Sequence, residues 1–259
     1  MLRELAARFR QGYRTIPYPK GEPVLPDRFR GKPEIDFSGC DSDCQACAAV
    51  CPTAAITCKG GKPSLDMGRC LFCADCANAC PGGLLRLTKE YRLATWARED
   101  LILRPRQPTP AARSDIARLN MFRRSLQLRQ VSAGGCNACE ADVNVLSTIA
   151  FDLGRFGIQI VASPRHADGL LITGPVTENM KLALEKTYLA LPPPRAVIVV
   201  GACAISGGPY IDHPEVKNGA AGIVPVDLFV PGCPPHPLTI LDGLLRLTQW
   251  SAFPRGNPA

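Results

Sequence analysis

No apolar stretch in this chain is long enough to cross a bilayer. Its longest runs, such as AVIVVGACAI at 196–205, fall well short of the ~20 residues that a membrane helix needs. No export leader is expected either: MLRELAARFRQGYRTIPYPKG carries charges throughout and no apolar central segment, and Arg123–Arg124 lies too deep to be a twin-arginine signal. Aromatic residues are scarce, at 6%. They do not interleave with basic ones, and no nucleic-acid-binding motif is present. GACAISGG at 201–208 has glycines like a phosphate-binding loop, but neither its lysine nor its spacing. These absences lead to the expectation of a soluble protein from a reducing compartment.

What the chain has in excess is cysteine: thirteen in 259 residues, an odd number. Disulfide scaffolds are usually short and exported, so without a leader these thiols read as metal ligands. An apolar fraction of 46% is ample for a core, and the length allows one large or two medium domains. The net charge of +7 gathers in an N-terminal arm (Arg3, Arg8, Arg10, Arg14, Lys20, Arg28, Arg30) and again between Arg86 and Arg129. Such a basic face suits anionic lipid or an acidic partner, and equally a plain solvated surface.

Nine of the thirteen cysteines lie between Cys40 and Cys80. A unit this small builds little core of its own, so metal centres are expected to hold it together. CLFCADCANACPGG at 70–83 has the spacing C-x2-C-x2-C-x3-C-P. In that bacterial ferredoxin pattern three close thiolates wrap one [4Fe-4S] cubane and the fourth, before proline, reaches to a second. CDSDCQACAAVCPTAAI at 40–56 repeats it, except that three residues separate Cys40 from Cys44. Crossing the fourth ligands puts one cluster on Cys40, Cys44, Cys47 and Cys80, and another on Cys70, Cys73, Cys76 and Cys51. Zinc also takes four thiolates, but usually from two separated C-x-x-C knuckles. The longer first gap leaves open that Asp41 or Asp43 replaces Cys40, or that the site lacks one iron. Cys58, in AITCKGG, is left over and is expected to pack as a small apolar residue in a hairpin.

Residues 86–122 are rich in Arg and Pro, and RPRQPTPAAR at 104–113 reads as an extended linker. Beyond it lie short β-rich runs at 125–133, 157–162, 168–174, 195–201 and 223–230, with helical patterns at 140–153, 177–190 and 237–248. Strands alternating with helices predict a parallel sheet covered on both faces, with its sites at the carboxyl ends of strands. The remaining cysteines fall there. Cys136 and Cys139 follow the first run, Cys203 follows AVIVVG and Cys233 follows VDLFVPG, so all four are expected to converge on one edge of the sheet.

The motifs GGCNACE, SPRHADGLLITGPVT (163–177), GACAISGG and PGCPPHP (231–237) resemble the small subunit of [NiFe] hydrogenases and its relative, the 20-kDa subunit of respiratory complex I. RFRQGYRTIPYP (8–19) and the two cysteine runs look like the 8-iron ferredoxin-type subunit of the same assemblies. Over both halves the chain resembles two subunits of a group 4, membrane-associated hydrogenase of the formate hydrogenlyase type, joined into one. The complex I subunit typically has adjacent first cysteines; here Cys136 and Cys139 are spaced C-x-x-C, as in the hydrogenases.

That resemblance implies an α/β chain with an N-terminal 2x[4Fe-4S] ferredoxin-like domain and a C-terminal flavodoxin-like parallel-sheet domain carrying a third cluster. The expected divisions are a basic arm (1–31), the ferredoxin-like domain (32–90), an Arg/Pro-rich linker (91–122), the hydrogenase small-subunit-like domain (123–250) and a tail (251–259). It implies three [4Fe-4S] clusters, the third on Cys136, Cys139, Cys203 and Cys233 beside a separate nickel–iron large subunit. The chain has no nickel-binding motif of its own, and the implied role is an electron relay. The donor would be formate dehydrogenase, carbon monoxide dehydrogenase or ferredoxin, and the place cytoplasmic, peripheral on the inner face of the membrane. Glu140 is a candidate for proton movement, or a carboxylate favoured by a helix N-terminus. Arg165 and His166 could counter cluster charge or touch the partner, or serve loop and capping roles. The glycines of GACAISGG would admit backbone N–H groups to cluster sulfides, and Pro231, Pro234 and Pro235 would stiffen the loop at Cys233. A quinone-reducing complex I-like assembly and a standalone ferredoxin-like carrier are the competing functions.

Overall fold

The computed structural model describes residues 2–40, 44–59, 62–106, 122 and 125–248. Asp41, Asp43, the Arg123–Arg124 pair, most of 104–113 and the expected tail lie outside them. The C-terminal half is a five-stranded, wholly parallel sheet. Its strands are β6 (Leu126–Ser132), β7 (Ile158–Ile160), β8 (Gly169–Thr173), β9 (Ala196–Val200) and β10 (Leu228–Val230), in the spatial order β10-β9-β8-β6-β7. Ranked along the chain that order is 2-1-3-4-5, the flavodoxin-like winding, whose switch point lies between β6 and β8. Every residue of β8, β9 and β10 is buried. Both faces are therefore covered, which is why GLLIT and AVIVV read as unbroken apolar runs.

Side chains alternate across this sheet. Leu171, Ile198 and Val200 point to one face, where Val143 of α4 (Ala138–Val145) and Leu241, Leu244 and Leu245 of α7 (Pro237–Leu247) cover them. Leu170, Ile172, Val197 and Val199 point to the other, which they share with Leu184 of α5 (Glu178–Ala190) and with Ala204 and Ile205 of α6 (Ala202–Ser206). Ile56, Leu65, Leu85, Leu101 and Leu103 of the N-terminal half pack into that same cluster. The cysteine-rich unit thus leans on the sheet for its core.

The N-terminal half pairs β1 (Pro33–Ile35) antiparallel with β4 (Leu85–Leu87). The hairpin of β2 (Ile56–Lys59) and β3 (Lys62–Asp66) is extended by β5 (Ile102–Leu103). One-turn helices α2 (Ala46–Ala49) and α3 (Asp75–Asn78) follow the first thiols of each cysteine run. The stretch expected as linker contributes core residues over 91–103, while 104–106 are exposed. Tyr91, Leu93, Ala94 and Leu101 are buried, and Thr95 and Phe229 form a reciprocal backbone bridge. The helix expected over 140–153 stops at Val145, where the Thr148 hydroxyl takes the Val145 carbonyl (2.7 Å). The last strand begins only at Leu228. Pro225 has no N–H for a ladder, and the Asp227 carboxylate instead accepts from the N–H of Val197 (2.8 Å).

α1 (Leu2–Gln11) ends at Gly12 in the left-handed conformation. The chain then straps itself to the sheet unit. The N–H of Ile16 donates to Ala150 O (2.9 Å), Arg155 donates to the carbonyls of Ile16 and Tyr18, and the buried Tyr18 hydroxyl donates to Asp242 (3.0 Å). Burial, and then the Asp242 carboxylate, keep that phenol protonated far above its usual range. Tyr18→Phe is expected to cost about 2 kcal/mol, the worth of a buried hydrogen bond to a charged acceptor. Denaturant unfolding monitored by circular dichroism checks it.

Candidate metal centres

Three groups of thiols are brought together from separated parts of the chain. The first occupies the carboxyl edge of the parallel sheet. Cys136 lies in the loop after β6 and Cys139 in the first turn of α4. Cys203 sits in α6 after β9, and Cys233 in the loop after β10. The last two loops are laced by backbone bonds from Gly201 N to Val230 O and from Ala202 N to Gly232 O, both 2.8 Å. Glycine at 201 (φ +92°) is required twice over, because a Cβ there would lie 2.5 Å from Cys139 Sγ. Gly208 stands in the same relation to Cys203, whose Sγ would be 2.7 Å from an added Cβ. Cys139 and Cys203 are buried, whereas Cys136 and Cys233 are exposed. The group therefore opens outward at the sheet edge.

Burial first, then neighbouring thiols, shapes its protonation. Cys203 is pushed up to about 12 by burial and by Cys233 and Cys136. Cys139 is raised by burial, then by Cys203, Glu140, Cys233 and Cys136. Four thiolates gathered this closely repel one another, and a cationic centre offsets that charge. Glu140 is itself buried beside Cys139, and its Oε1 accepts from the hydroxyls of Ser132 (2.6 Å) and Thr173 (2.7 Å). These hydroxyls come from the ends of β6 and β8, the two strands that flank the switch point. Sequence reasoning missed both. Arg165 and His166 are exposed in the turn Pro164–His166 after β7, where the N–H of Arg165 donates to the Ser163 hydroxyl (3.3 Å).

The second group joins Cys51 to Cys70, Cys73 and Cys76 around one cavity, whose walls include Pro52, Ile56 and Leu65. Cys70 is pushed up to about 12 by burial and, among its neighbours, by Cys76, Cys51 and Cys73. Backbone N–H groups already point at sulfur here, from Ala55 to Cys51 (3.2 Å) and from Phe72 to Cys70 (3.3 Å). Arg30 donates to the carbonyl of Cys73 at 2.7 Å, which places a cation on this loop.

The third group is looser. Burial, then Cys80, raises Cys40; Lys62 pulls it down and Cys44 adds to the rise. Cys40 Sγ also lies 3.7 Å from Asp36 O. Cys47, on α2, is pushed up to about 11 by burial and by Cys58, with which it shares a hydrogen bond. Cys58 does lie in a hairpin, half-buried on β2, but it faces a candidate ligand. Among the described residues no group of three or more His, Cys, Asp or Glu could hold a metal ion as it stands. The four thiols gathered at the sheet edge and the four around the Cys51–Cys76 cavity, with glycines leaving room at the first and N–H groups aimed at sulfur at the second, fit the donor chemistry of iron–sulfur clusters.

A junction couples the first two groups. The Ser206 hydroxyl of α6 donates to Gly68 O at 2.9 Å, two residues before Cys70. A Cβ on Gly68 would come within 2.8 Å of Ile205 and of the Arg98 guanidinium. Arg98 is held in turn by both oxygens of Asp66 (2.8 and 2.5 Å).

Residues 136–247 match the family described as NADH ubiquinone oxidoreductase, 20 Kd subunit. The probable membrane-bound hydrogenase subunit mbhJ of Pyrococcus furiosus is 44% identical over 122 residues, 47% of this chain and 73% of the relative. Formate hydrogenlyase subunit 7 of Escherichia coli is 44% identical over 141 residues, 53% of this chain and 55% of that protein. An NADH-quinone oxidoreductase subunit of Clostridium beijerinckii is 38% identical over 122 residues, covering 47% and 72% respectively. Among the described residues no helix is long and apolar enough to cross a membrane.

Proposed function

The chain belongs to the family of the NADH ubiquinone oxidoreductase 20 Kd subunit, and from that premise we propose that it is the electron-transfer iron–sulfur subunit of a membrane-associated [NiFe] hydrogenase complex. The observation that carries this reading is the convergence of Cys136 and Cys139, in C-x-x-C spacing, with Cys203 and Cys233 at one exposed edge of the sheet. Two relatives, each 44% identical, are named as hydrogenase or formate hydrogenlyase subunits.

In this reading three [4Fe-4S] clusters are held by Cys136, Cys139, Cys203 and Cys233; by Cys70, Cys73, Cys76 and Cys51; and by Cys40, Cys44, Cys47 and Cys80. The clusters supply one-electron carriers whose potentials follow burial, charge and hydrogen bonds to sulfur. This chain's residues fix their spacing. Phe72 and Ala55 N–H groups lower the charge on sulfur, and Arg30 does so from the Cys73 carbonyl side. The exposed sides of Cys136 and Cys233 face a nickel–iron large subunit. The whole chain sits peripherally on the inner face of the cell membrane, taking electrons from formate dehydrogenase, carbon monoxide dehydrogenase or ferredoxin. Glu140, clasped by two hydroxyls, passes protons at the edge nearest that subunit.

Nickel content and hydrogen evolution with a reduced viologen dye test the reading, on the complex purified anaerobically through a tag on this chain. Nickel with hydrogen evolution supports it. A nickel-free complex that reduces quinone overturns it in favour of the complex I-like reading, which the NADH-quinone oxidoreductase relatives favour. Within the third group, Cys40→Ser is expected to alter one N-terminal cluster signal in electron paramagnetic resonance and leave the other two intact. A fully normal cubane in that variant hands the position to Asp41, Asp43 or Cys58.

A further inference from the structure

The first helix of the chain has a feature that electron relay does not use. None of the ten residues of α1 is buried, and exposure continues through Arg14. At about 100° per residue, Leu2, Leu5, Ala6 and Phe9 fall within one arc of the helix, with Arg3 and Arg10 along one border and Arg8 along the other. Glu4, Ala7 and Gln11 lie opposite. Leu2 is 84% exposed and Phe9 87%, and Tyr13 just beyond the helix is 88% exposed. A helix of this length is marginal alone in water, where isolated helices need about 12–15 residues. A surface that matches both of its faces would complete it. That surface is apolar beneath the stripe and negative at both borders, which is the profile of an anionic bilayer: acyl chains below, lipid phosphates at the level of the arginines.

We propose that α1 is an interfacial anchor that lies in the headgroup layer of an anionic membrane. The attachment is short. Only residues 12–15 separate α1 from Ile16, which is hydrogen-bonded to Ala150. Ile149, 73% exposed, adds apolar surface next to that anchor point. A bilayer that takes α1 therefore also holds the sheet unit close by, with a defined side toward the lipid. The inference rests on the peripheral placement proposed above and names the residues and the lipid chemistry responsible for it.

The test is co-sedimentation of the cluster-loaded full chain with vesicles of phosphatidylglycerol and phosphatidylcholine, or of phosphatidylcholine alone. Binding is expected to the first and to weaken with salt. Neutralising Arg3, Arg8 and Arg10 together as Gln is expected to lower affinity about fivefold per charge. Leu5→Glu with Phe9→Glu is expected to lower it at least about tenfold, from the loss of two buried apolar side chains. Because none of α1 is buried, iron absorbance stays unchanged in both variants and reports intact folding. Equal binding to neutral vesicles, or full binding by the Leu5/Phe9 variant, overturns the proposal. So does absence of binding to either vesicle, which assigns the stripe to a protein partner. Vesicle binding by a chain whose native complex lacks nickel sinks the hydrogenase reading and leaves the anchor standing. Hydrogen evolution without vesicle binding does the reverse.

Discussion

In the proposed three-cluster hydrogenase subunit, Cys203→Ala is expected to remove about a third of the chain's iron and abolish hydrogen evolution by the complex, while the two N-terminal cluster signals persist. The site allows a clean deletion. Cys203 is buried in α6 between Ala202 and Ala204, so alanine suits the helix and leaves the backbone bonds to the β10 loop in place. What remains is three thiols, two of them exposed, and three do not complete a cubane. The Cys51–Cys76 group is joined to α6 through Ser206 and Gly68, neither of which changes. Iron content and electron paramagnetic resonance of the reduced protein measure the outcome. Unchanged iron in a folded Cys203→Ala chain refutes the proposed ligand set. Loss of iron with hydrogen evolution intact keeps the ligand set and removes this edge from the electron route.

If Glu140 passes protons as proposed, Glu140→Gln is expected to slow hydrogen evolution by the complex about a hundredfold, the low end for loss of a proton-transfer group. The exchange is nearly isosteric. A glutamine oxygen can still accept from Ser132 and Thr173, so the loops after β6 and β8 stay joined. Only the titratable proton and the charge disappear. Cluster reduction by dithionite, which needs no proton at this position, is expected to proceed as in the wild type. If hydrogen evolution falls less than about threefold, Glu140 is a structural brace whose burial is met by two hydroxyls. Glu140→Leu separates the two roles further, because it leaves both hydroxyls without their acceptor.

The sequence carried the sheet because its signals were local. Continuous apolar runs announced β8 and β9, and every cysteine beyond residue 125 fell just past a strand. Spacing also grouped Cys51 with Cys70, Cys73 and Cys76, a set the fold gathers around one cavity. What stayed illegible was set at long range. Nothing in PVDLFV says that Asp227 caps Val197 and leaves a three-residue strand. The hydroxyls on Glu140 come from residues 8 and 33 positions away. Cys58 looked like filler because its partner Cys47 lies on a different element. Residues 91–103 (YRLATWAREDLIL) read as one with the Arg- and Pro-rich stretch that follows them, although they are largely apolar and Tyr91, Leu93, Ala94, Leu101 and Leu103 reach the core. The basic, proline-rich composition that begins at Arg104 masked that pattern.

The shared core under the cysteine-rich unit also bears on timing. Units joined by a small polar interface swing against each other by default. Here Leu65, Leu101 and Phe229 belong to one apolar cluster, and Gly68 is wedged against Ile205. The Ser206–Gly68 hydrogen bond also ties the turn before Cys70 to the helix of Cys203. In the proposed relay, electrons crossing that gap would meet a fixed distance at every passage, and the step would be set by that distance and by potentials rather than by a domain swinging into place.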